Sequence, residues 1–191
     1  LVIPTGVELK GAVDIGRNPY NIGTVLEIYG GAGQPDGPAA IQMKAGSGIR
    51  GIVFEYPEQY KDSFTDINAV VAYPYAIQGQ GADIYIINVA MRNGYNGVDL
   101  MSYRCDNHYV EYLSGVALGT MIRVGGGSTG GLVANYQLNY TTLLNGAQTK
   151  YGSWENAPSE EERQAFEQMM YKWMQERSIV MQVGDVTDQR L

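Results

Sequence analysis

Short apolar segments recur along the middle of the chain at nearly constant spacing. Three of them, "DIYIINV", "HYVEYL" and "GGLVANYQL", are centred near Ile86, Val110 and Val133, so their centres recur at about 23 residues, a period typical of repeat proteins. A second series interleaves with the first at a similar spacing, with "GVDLMS" near Val98 and "GTMIRVGG" near Met121. A sheet built of β-hairpins does not require a constant spacing between its strands. The spacing therefore predicts a parallel solenoid, in which each coil stacks on the last.

Each predicted coil has room for two or three short strands joined by sharp corners. "RNGYNG", residues 92–97, is predicted to form a corner, because Asn and Gly tolerate a positive φ. A looser repeat is visible earlier, where "AAIQMKAG" (39–46) is followed by "GIRGIVFEY" (48–56). An antiparallel sandwich or jelly roll is the alternative, since alternating apolar and polar positions are also typical of that architecture.

The pattern changes to a helical one near the end of the chain. After a polar loop over residues 146–158, "SEEERQAFEQMMYKWMQER" (159–177) begins with Ser159 and Glu162 at the spacing of a capping box. Its apolar side chains form one stripe at helical spacing. That stripe comprises Phe166, Met169, Met170, Trp173 and Met174.

The stripe is expected to pack on the solenoid, with binding to a partner protein as the alternative. "SIVMQVGDVTD" (178–188) is predicted to be a further strand. We therefore divide the chain into coils over residues 1–145 and a loop, helix and strand over 146–191, packed on the same solenoid. Because an uncapped coil end exposes strand backbone and apolar side chains, we expect another chain or further coils to cover the C-terminal end.

Several segments resemble those of right-handed parallel β-helix proteins. "LVIPTGVELKG" is similar to the opening of many such proteins, and "GSGIRGIVFEYPEQY", "YAIQGQGADIYIINVAMRNGYNGVDL" and "HYVEYLSGVALGTMIRVGGGSTGGLVANYQLNY" resemble successive coils of the pectate-lyase-like superfamily, especially its glycoside-hydrolase-like branch. The resemblance covers about residues 1–145. It implies an all-β, right-handed parallel β-helix and an activity on polysaccharides. Together with the helical pattern over 159–177, the predicted fold is such a β-helix with one C-terminal amphipathic α-helix. The motifs of its polygalacturonase branch (Asn-Thr-Asp, Asp-Asp, Gly-His-Gly, Arg-Ile-Lys) are absent.

The composition agrees with a fold of many short strands and tight turns. It also disfavours some classes of binding partner. The 191 residues include 25 glycines and 15 tyrosines, and the net charge is −7. A nucleic-acid-binding surface is typically basic, so this class is disfavoured. No apolar run approaches the length of about 20 residues that a membrane-spanning helix needs. The single cysteine, Cys105, is predicted to be a small buried side chain.

The densest group of ionisable side chains in the predicted coils lies in "VDLMSYRCDNHYVEY", residues 98–112. Two carboxylates facing one groove hydrolyse glycosidic bonds at separations of about 5–10 Å. Asp99 also precedes Arg123 by one predicted repeat, so a structural salt bridge between adjacent coils is an equal alternative. The alternatives are a turn for Asp106, hydrogen bonding of a half-buried ring for His108 and a solvated surface position for Glu111. The candidate catalytic residues are Asp99, Arg104, Asp106, His108 and Glu111.

A second candidate group is the acidic and aromatic loop "FEYPEQYKD", residues 54–62. Tyrosine rings stack on sugar faces, and carboxylates accept hydrogen bonds from sugar hydroxyls. The alternative is a rigid loop folded over the solenoid. "RVGGGSTGG" (123–131) and "YGGAGQPDG" (29–37) lack the features of a phosphate-binding loop. The candidate substrate-binding residues are Glu55, Tyr56, Glu58, Tyr60 and Tyr109.

Three hypotheses follow for the function. The first is a glycoside hydrolase or polysaccharide lyase, and the second is a noncatalytic carbohydrate-binding or structural module of a surface or appendage protein. The third is an incomplete piece of a larger enzyme. In each case the expected partner is a polysaccharide or oligosaccharide, with no nucleic acid and no membrane. No metal or cofactor is expected, and the expected location is secreted or at the cell surface.

Overall fold

The computed structural model describes residues 1–12, 23–59, 70–138 and 159–191. Within them the protein is all-β, with parallel sheets and one helix, α1 (Glu160–Arg177). The strands are β1 (Val2–Ile3), β2 (Glu8–Lys10), β3 (Thr24–Glu27), β4 (Ile41–Met43), β5 (Gly48–Glu55), β6 (Tyr75–Gly79), β7 (Tyr85–Gly94), β8 (Asn96–Leu100), β9 (Tyr109–Ala117), β10 (Thr120–Val124), β11 (Ser128–Thr129), β12 (Leu132–Ala134), β13 (Gln137–Leu138), β14 (Ile179–Val183) and β15 (Val186–Thr187).

From β4 to β10 the chain alternates between two sheets. The first sheet has the order β1-β4-β6-β8-β10-β14, and the second has the order β12-β9-β7-β5-β2, with β3 also paired to β5 and β13 to β9. A short third pairing joins β11 to β15. Every registered strand pair among the described residues is parallel. The antiparallel sandwich is therefore excluded for this part of the chain.

The strand register follows the spacing in the sequence. Ile86 pairs with Val110 and Val110 with Val133, which confirms the predicted partners in this series. In the other series Val98 pairs with Ile122, one position from the predicted strand centre near Met121, in the same register that pairs Asp99 with Arg123. Met121 and Ile122 are both fully buried, so apolarity alone did not distinguish which of them lies opposite Val98.

A column of left-handed residues marks one corner of each repeat. Asp83 and Asn107 have φ of 58° and 53°, values that are costly for most residues. The Asn107 N–H donates to the carbonyl oxygen of Thr129 (2.9 Å), and its side-chain Nδ2 donates to Asp83 Oδ1 (3.0 Å). Backbone hydrogen bonds like that from Asn107 N–H to the Thr129 carbonyl join successive repeats through the whole column. Its members are Gly6, Gly46, Asp83, Asn107, Gly130 and Asp188.

The core lies between the two sheets and is filled by side chains at matching register positions. Ile49, Ile86 and Val110 are fully buried from the second sheet, as are Ile77 and Val98 from the first. Burying a side chain of this size stabilises a fold by roughly 1.5–3 kcal/mol. Each repeat therefore contributes apolar side chains that only its neighbouring repeats cover.

Cys105 occupies the same core. Its side chain is fully buried, which confirms the prediction of a small buried residue, and burial raises the pKa of its thiol to about 11.

Two insertions that lengthen the repeat lie near the candidate site. Ile49 pairs with Leu9, and the chain between them includes the loop over residues 28–40. Met181 pairs with Ile122, and the chain between them includes α1. Both insertions border the outer face of the first sheet, where the candidate site lies.

Helix α1 packs against the strands. Met170 and Met174 are buried against Val116 and Leu118, which confirms the predicted packing for these two residues. Trp173 Nε1 also donates a hydrogen bond to the carbonyl oxygen of Leu118, at 3.1 Å.

Two elements of the predicted helix lie outside the described residues. They are the side chains of Glu162, from the predicted capping box, and of Phe166. The predicted domain boundary at residues 145 and 146 is also outside them.

The predicted strand after the helix is present as β14, which is the last strand of the first sheet in the described chain, and as β15. Ile179, Val180 and Val183 in β14 are 45%, 38% and 50% exposed. An edge strand with exposed apolar side chains is a site for further pairing, so the expectation of a covering chain stays a prediction.

Asn107 tests the importance of the left-handed corner. We expect Asn107→Ala to lower the free energy of unfolding by about 1–2 kcal/mol, because Ala resists a positive φ and the bond to Asp83 is lost. Asn107→Gly should lose less, because Gly accepts this conformation. Urea unfolding of the two variants checks this, and equal losses would show that the side-chain bond matters and the backbone conformation does not.

Candidate functional site

A row of polar side chains crosses four strands on the outer face of the first sheet. Strand register places Gln78 beside Asp99, Asp99 beside Arg123, and Arg123 beside Gln182. Neighbouring strands lie about 4.8 Å apart, so each of these side chains contacts or approaches the next. We call this row the polar ladder, and define it as Gln78, Asp99, Arg123 and Gln182.

The centre of the polar ladder is an ion pair between Asp99 and Arg123. Arg123 Nε donates to Asp99 Oδ1 at 2.8 Å, and Arg123 Nη2 donates to Asp99 Oδ2 at 3.1 Å. The same Nη2 also donates to Ser102 Oγ at 2.8 Å. Asp99 is fully buried, whereas the Arg123 side chain is 28% exposed. The predicted proximity of Asp99 and Arg123 is therefore confirmed.

The remaining hydrogen-bonding capacity of Asp99 is also occupied. Oδ1 accepts bonds from the backbone N–H groups of Met101 (2.9 Å) and Ser102 (3.0 Å), and Oδ2 accepts one from Gln78 Nε2 (2.9 Å). Burial would raise the pKa of Asp99, but the bonds from Arg123, Gln78 and the following turn outweigh it and hold the pKa well below its usual range. Asp99 therefore has neither a proton to donate nor an open lone pair for nucleophilic attack.

A cleft of about 490 Å³ opens above the polar ladder. The loop over residues 28–40 supplies Asp36, which lies close enough to Arg123 to raise its pKa, while Asp99 raises it more strongly. Helix α1 supplies Arg177, whose guanidinium lies 4.2 Å from the centroid of the Trp173 ring. We call this space the polar cleft. It is bordered by the polar ladder together with Asp36, Tyr75, Tyr95, Asn96, Ser102, Thr120 and Arg177.

Tyr75 fixes the orientation of Arg123 from the side of the cleft. The Arg123 guanidinium carbon lies 4.4 Å from the centroid of the Tyr75 ring, which is the geometry of a cation–π contact. Burial raises the pKa of Tyr75, so its hydroxyl stays protonated at neutral pH. The Asp99 carboxylate, the Ser102 hydroxyl and the Tyr75 ring thus hold Arg123 in place before a ligand binds.

Asp106 and Arg104 pair with each other near the corner column. Arg104 Nε donates to both carboxylate oxygens of Asp106, at 3.0 and 2.8 Å, and the Thr129 N–H donates to Oδ1 at 2.8 Å. The bond from Thr129 and the contact with Arg104 lower the pKa of Asp106. Its position beside Asn107 agrees with a role in the turn.

His108 lies inside the protein rather than at a groove. Its side chain is 1% exposed, and its Nδ1 is 2.7 Å from the carbonyl oxygen of Cys105. The imidazole packs where Gly131 leaves space, since a Cβ at that position would collide with the ring. A polymer outside the protein therefore has no direct access to His108 in this structure.

Glu111 and Tyr109 lie on the second sheet. Tyr109 Oη donates to Glu111 Oε2 at 2.7 Å, which confirms that the two share a face, and Asn135 Nδ2 donates to Oε1 at 3.2 Å. Asp99 belongs to β8 of the first sheet. The structure therefore places Asp99 and Glu111 on different sheets and not opposite each other across one groove.

The second candidate group forms partly buried contacts rather than an open surface. Tyr56 is 1% exposed, and its ring centroid lies 4.7 Å from that of the buried Tyr73. Burial, with a contribution from Tyr73, raises the pKa of Tyr56. Because its ring packs in the core, Tyr56 does not offer a face to an external sugar.

The acidic residues of the same loop differ in exposure. Glu55 is 7% exposed and accepts a hydrogen bond from Arg92 Nη1 at 2.9 Å, as part of a salt bridge. Glu58 is partly exposed, and Tyr60 lies outside the described residues.

Most residues of the polar cleft were not predicted from the sequence, and four polar or charged ones show why. Gln78 and Gln182 carry no charge and Arg177 lies in the helix, while Asp36 lies in a segment that we read only as a loop. The repeat itself carried a usable signal for one of them, since Gln78 precedes Asp99 by one repeat step in the register. Asp36 and Arg177 reach the cleft from the two insertions, and no local pattern marks them.

Comparisons with known proteins identify no relative, since no protein-family model, no curated protein and no solved structure matches the chain. Across the described ranges, no helix has the length and apolar character needed to cross a membrane. In the same part of the chain, no three His, Cys, Asp or Glu side chains gather where they could hold a metal ion.

Asp99→Asn tests the ion pair at the centre of the polar ladder. At pH 7 we expect it to lower the free energy of unfolding by about 2–3 kcal/mol, less than for a fully buried pair because Arg123 is partly exposed. Folding lowers the pKa of Asp99, so its contribution is present above the ordinary carboxylate pKa of about 3.9 and is lost as the pH falls below it.

The difference between the parent protein and Asp99→Asn should therefore be constant near neutral pH and narrow below about pH 4. Urea unfolding at a series of pH values measures it. Asp185→Asn, which removes one carboxylate charge at an exposed position, is the matched control. A difference that does not change with pH would contradict the assigned role of the Asp99 charge.

Proposed function

We propose that the protein is a carbohydrate-binding module built on a right-handed parallel β-helix, and that it holds a saccharide in the polar cleft. The fold proposal is supported by parallel pairing throughout, by the nearly equal register steps from β7 to β9 and from β9 to β12, and by the stacked left-handed corners. Parallel strands joined through a crossover are right-handed in nearly all proteins. The pectate-lyase-like superfamily remains the family that the sequence resembles.

The observation that carries the binding proposal is the arrangement of donors and acceptors over one open face. Gln182 offers an amide group on the strand next to the oriented Arg123. The Gln78 amide lies on the other side of Asp99, where it donates to Asp99 Oδ2 and accepts a hydrogen bond from Gln80. Asp36, Ser102 and Thr120, which also border the cleft, add a carboxylate and hydroxyls. Precisely placed polar groups that converge in a cleft orient a ligand and give specificity. Pre-positioned side chains also reduce the entropy that is lost on binding.

Cleavage of the bound saccharide is the second candidate. The observation that favours it is the presence of two carboxylates, Asp36 and Asp99, at the border of one cleft. A hydrolase of the usual type needs one carboxylate as an acid and a second as base or nucleophile. Asp99 is unsuited to either step because its oxygens are fully hydrogen-bonded, so binding without cleavage is the better-supported proposal.

A polysaccharide panel of β-glucans, xylan, mannan, pectin and alginate distinguishes these proposals. Binding is measured by retardation in gels that contain each polymer, and cleavage by the release of reducing ends or of an unsaturated product that absorbs in the ultraviolet. We expect retardation without cleavage. Cleavage that is lost in Asp36→Asn would favour the enzyme, and the absence of both signals on every polymer would contradict the proposed function.

Gln182→Ala provides the residue-level test. Gln182 is exposed and lines the polar cleft, so we expect its removal to weaken binding about three- to tenfold through one lost hydrogen bond, with little change in stability. Gln175→Ala is the matched control, because Gln175 is an exposed residue of α1 that does not line the cleft. Calorimetric titration with the retained saccharide measures both, and an unaltered affinity for Gln182→Ala would place the binding elsewhere.

A further inference from the structure

A second cleft of about 430 Å³ adjoins the polar cleft. The two share Tyr75 and Ala39 in their walls. We call the second space the tyrosine cleft. Its lining includes Glu27, Tyr29, Gln34, Pro74 and Tyr75, with the buried Tyr56 behind them.

The chemistry of the tyrosine cleft differs from that of the polar cleft. Tyr29 is 58% exposed, and its hydroxyl donates a hydrogen bond to Glu27 Oε2 at 2.7 Å. That bond orients the ring, which offers an apolar surface next to the carboxylate and to the Gln34 amide. An exposed ring beside hydrogen-bonding groups suits a sugar ring, which presents apolar C–H groups on its face and hydroxyls at its edge.

The loop over residues 28–40 forms walls of both clefts and is held at several points. Its backbone bonds include Ile28 N–H to the Glu55 carbonyl (2.8 Å), Gly33 N–H to Ala72 (2.8 Å) and Ala40 N–H to Tyr75 (3.1 Å). At Gly31 the backbone approaches Pro74 so closely that a Cβ would collide with the proline ring. The spacing between the Tyr29 ring and the polar ladder is therefore set before binding.

The charges that line the two clefts do not favour a polyanion. Two carboxylates, Asp36 and Asp99, balance two guanidinium groups, Arg123 and Arg177, in the polar cleft. In the tyrosine cleft Glu27 is the one ionised side chain in the described lining, and it is negative. A run of uronate rings would therefore meet no net positive charge along this path, whereas the binding of a neutral saccharide does not depend on one.

We propose that the two clefts form one extended site for a neutral oligosaccharide, with one ring over the polar ladder and a following ring stacked on Tyr29. This inference rests on the proposed saccharide binding and adds the chain length and the charge class of the ligand. The tyrosine cleft is the subsite that makes an oligomer bind more tightly than a single sugar.

The test is calorimetric titration with gluco-, xylo- and manno-oligosaccharides of increasing length, and with oligogalacturonates as the acidic series. Affinity should rise from the monosaccharide to the longer neutral oligomers. Tyr29→Ala should weaken binding of the oligomers about two- to tenfold, the size of one aromatic contact, and leave the monosaccharide unaffected. Tyr29→Phe, which keeps the ring, should bind oligomers nearly as the parent protein does.

Tyr103→Ala is the matched control, since Tyr103 is 49% exposed and lines neither cleft. An oligomer affinity that is unchanged in Tyr29→Ala, an equal loss for monosaccharide and oligomer, or equal binding of oligogalacturonates would each overturn the inference. Binding that depends on Gln182 but not on Tyr29 would overturn it and leave the proposed function standing. The absence of binding to every saccharide would overturn both.

Discussion

The in-register pairing of parallel strands is the constraint on which the rest of this structure depends. Each repeat buries its apolar side chains only because the next repeat lies directly over it, and a slip by one residue would turn the buried side chains outward. The left-handed corner column fixes that register independently of the strands. Asp83 and Asn107 take up the unfavourable backbone conformation and are joined to each other and to the next repeat by hydrogen bonds.

The same register builds the candidate site. Stacked repeats bring side chains that are about one repeat apart in sequence to adjacent strands, so Gln78, Asp99 and Arg123 become neighbours on one face. A buried carboxylate is stable there because five hydrogen bonds, two of them from a guanidinium, replace the water that it loses. The same hydrogen bonds that stabilise the fold therefore also hold the side chains of the candidate site in fixed positions, as a binding surface requires.

The walls of the site come from interruptions of the repeat. The loop over residues 28–40 and helix α1 occupy two long register steps that border the first sheet, and they carry Asp36 and Arg177 to the ladder from opposite ends of the chain. A regular repeat offers a flat face, and a flat face holds small ligands weakly. Insertions at the border of that face are therefore the part of the chain that gives it depth.

The sequence by itself determined the parallel repeat, its nearly constant step in the middle of the chain, a helix within residues 159–177 and the proximity of Asp99 and Arg123, because all of these depend on periodicities that can be counted along the chain. Among the candidate site residues, it did not separate buried side chains from exposed ones. Tyr56 and His108 read as ligand-binding and catalytic side chains, yet both lie in the interior. Tertiary structure alone decided that Asp99 and Glu111 belong to different sheets and that Asp36, Tyr29 and Arg177 border the clefts. The physical reason is that contacts between an insertion and a distant strand depend on how the chain closes in space, and no local pattern of residues records that closure.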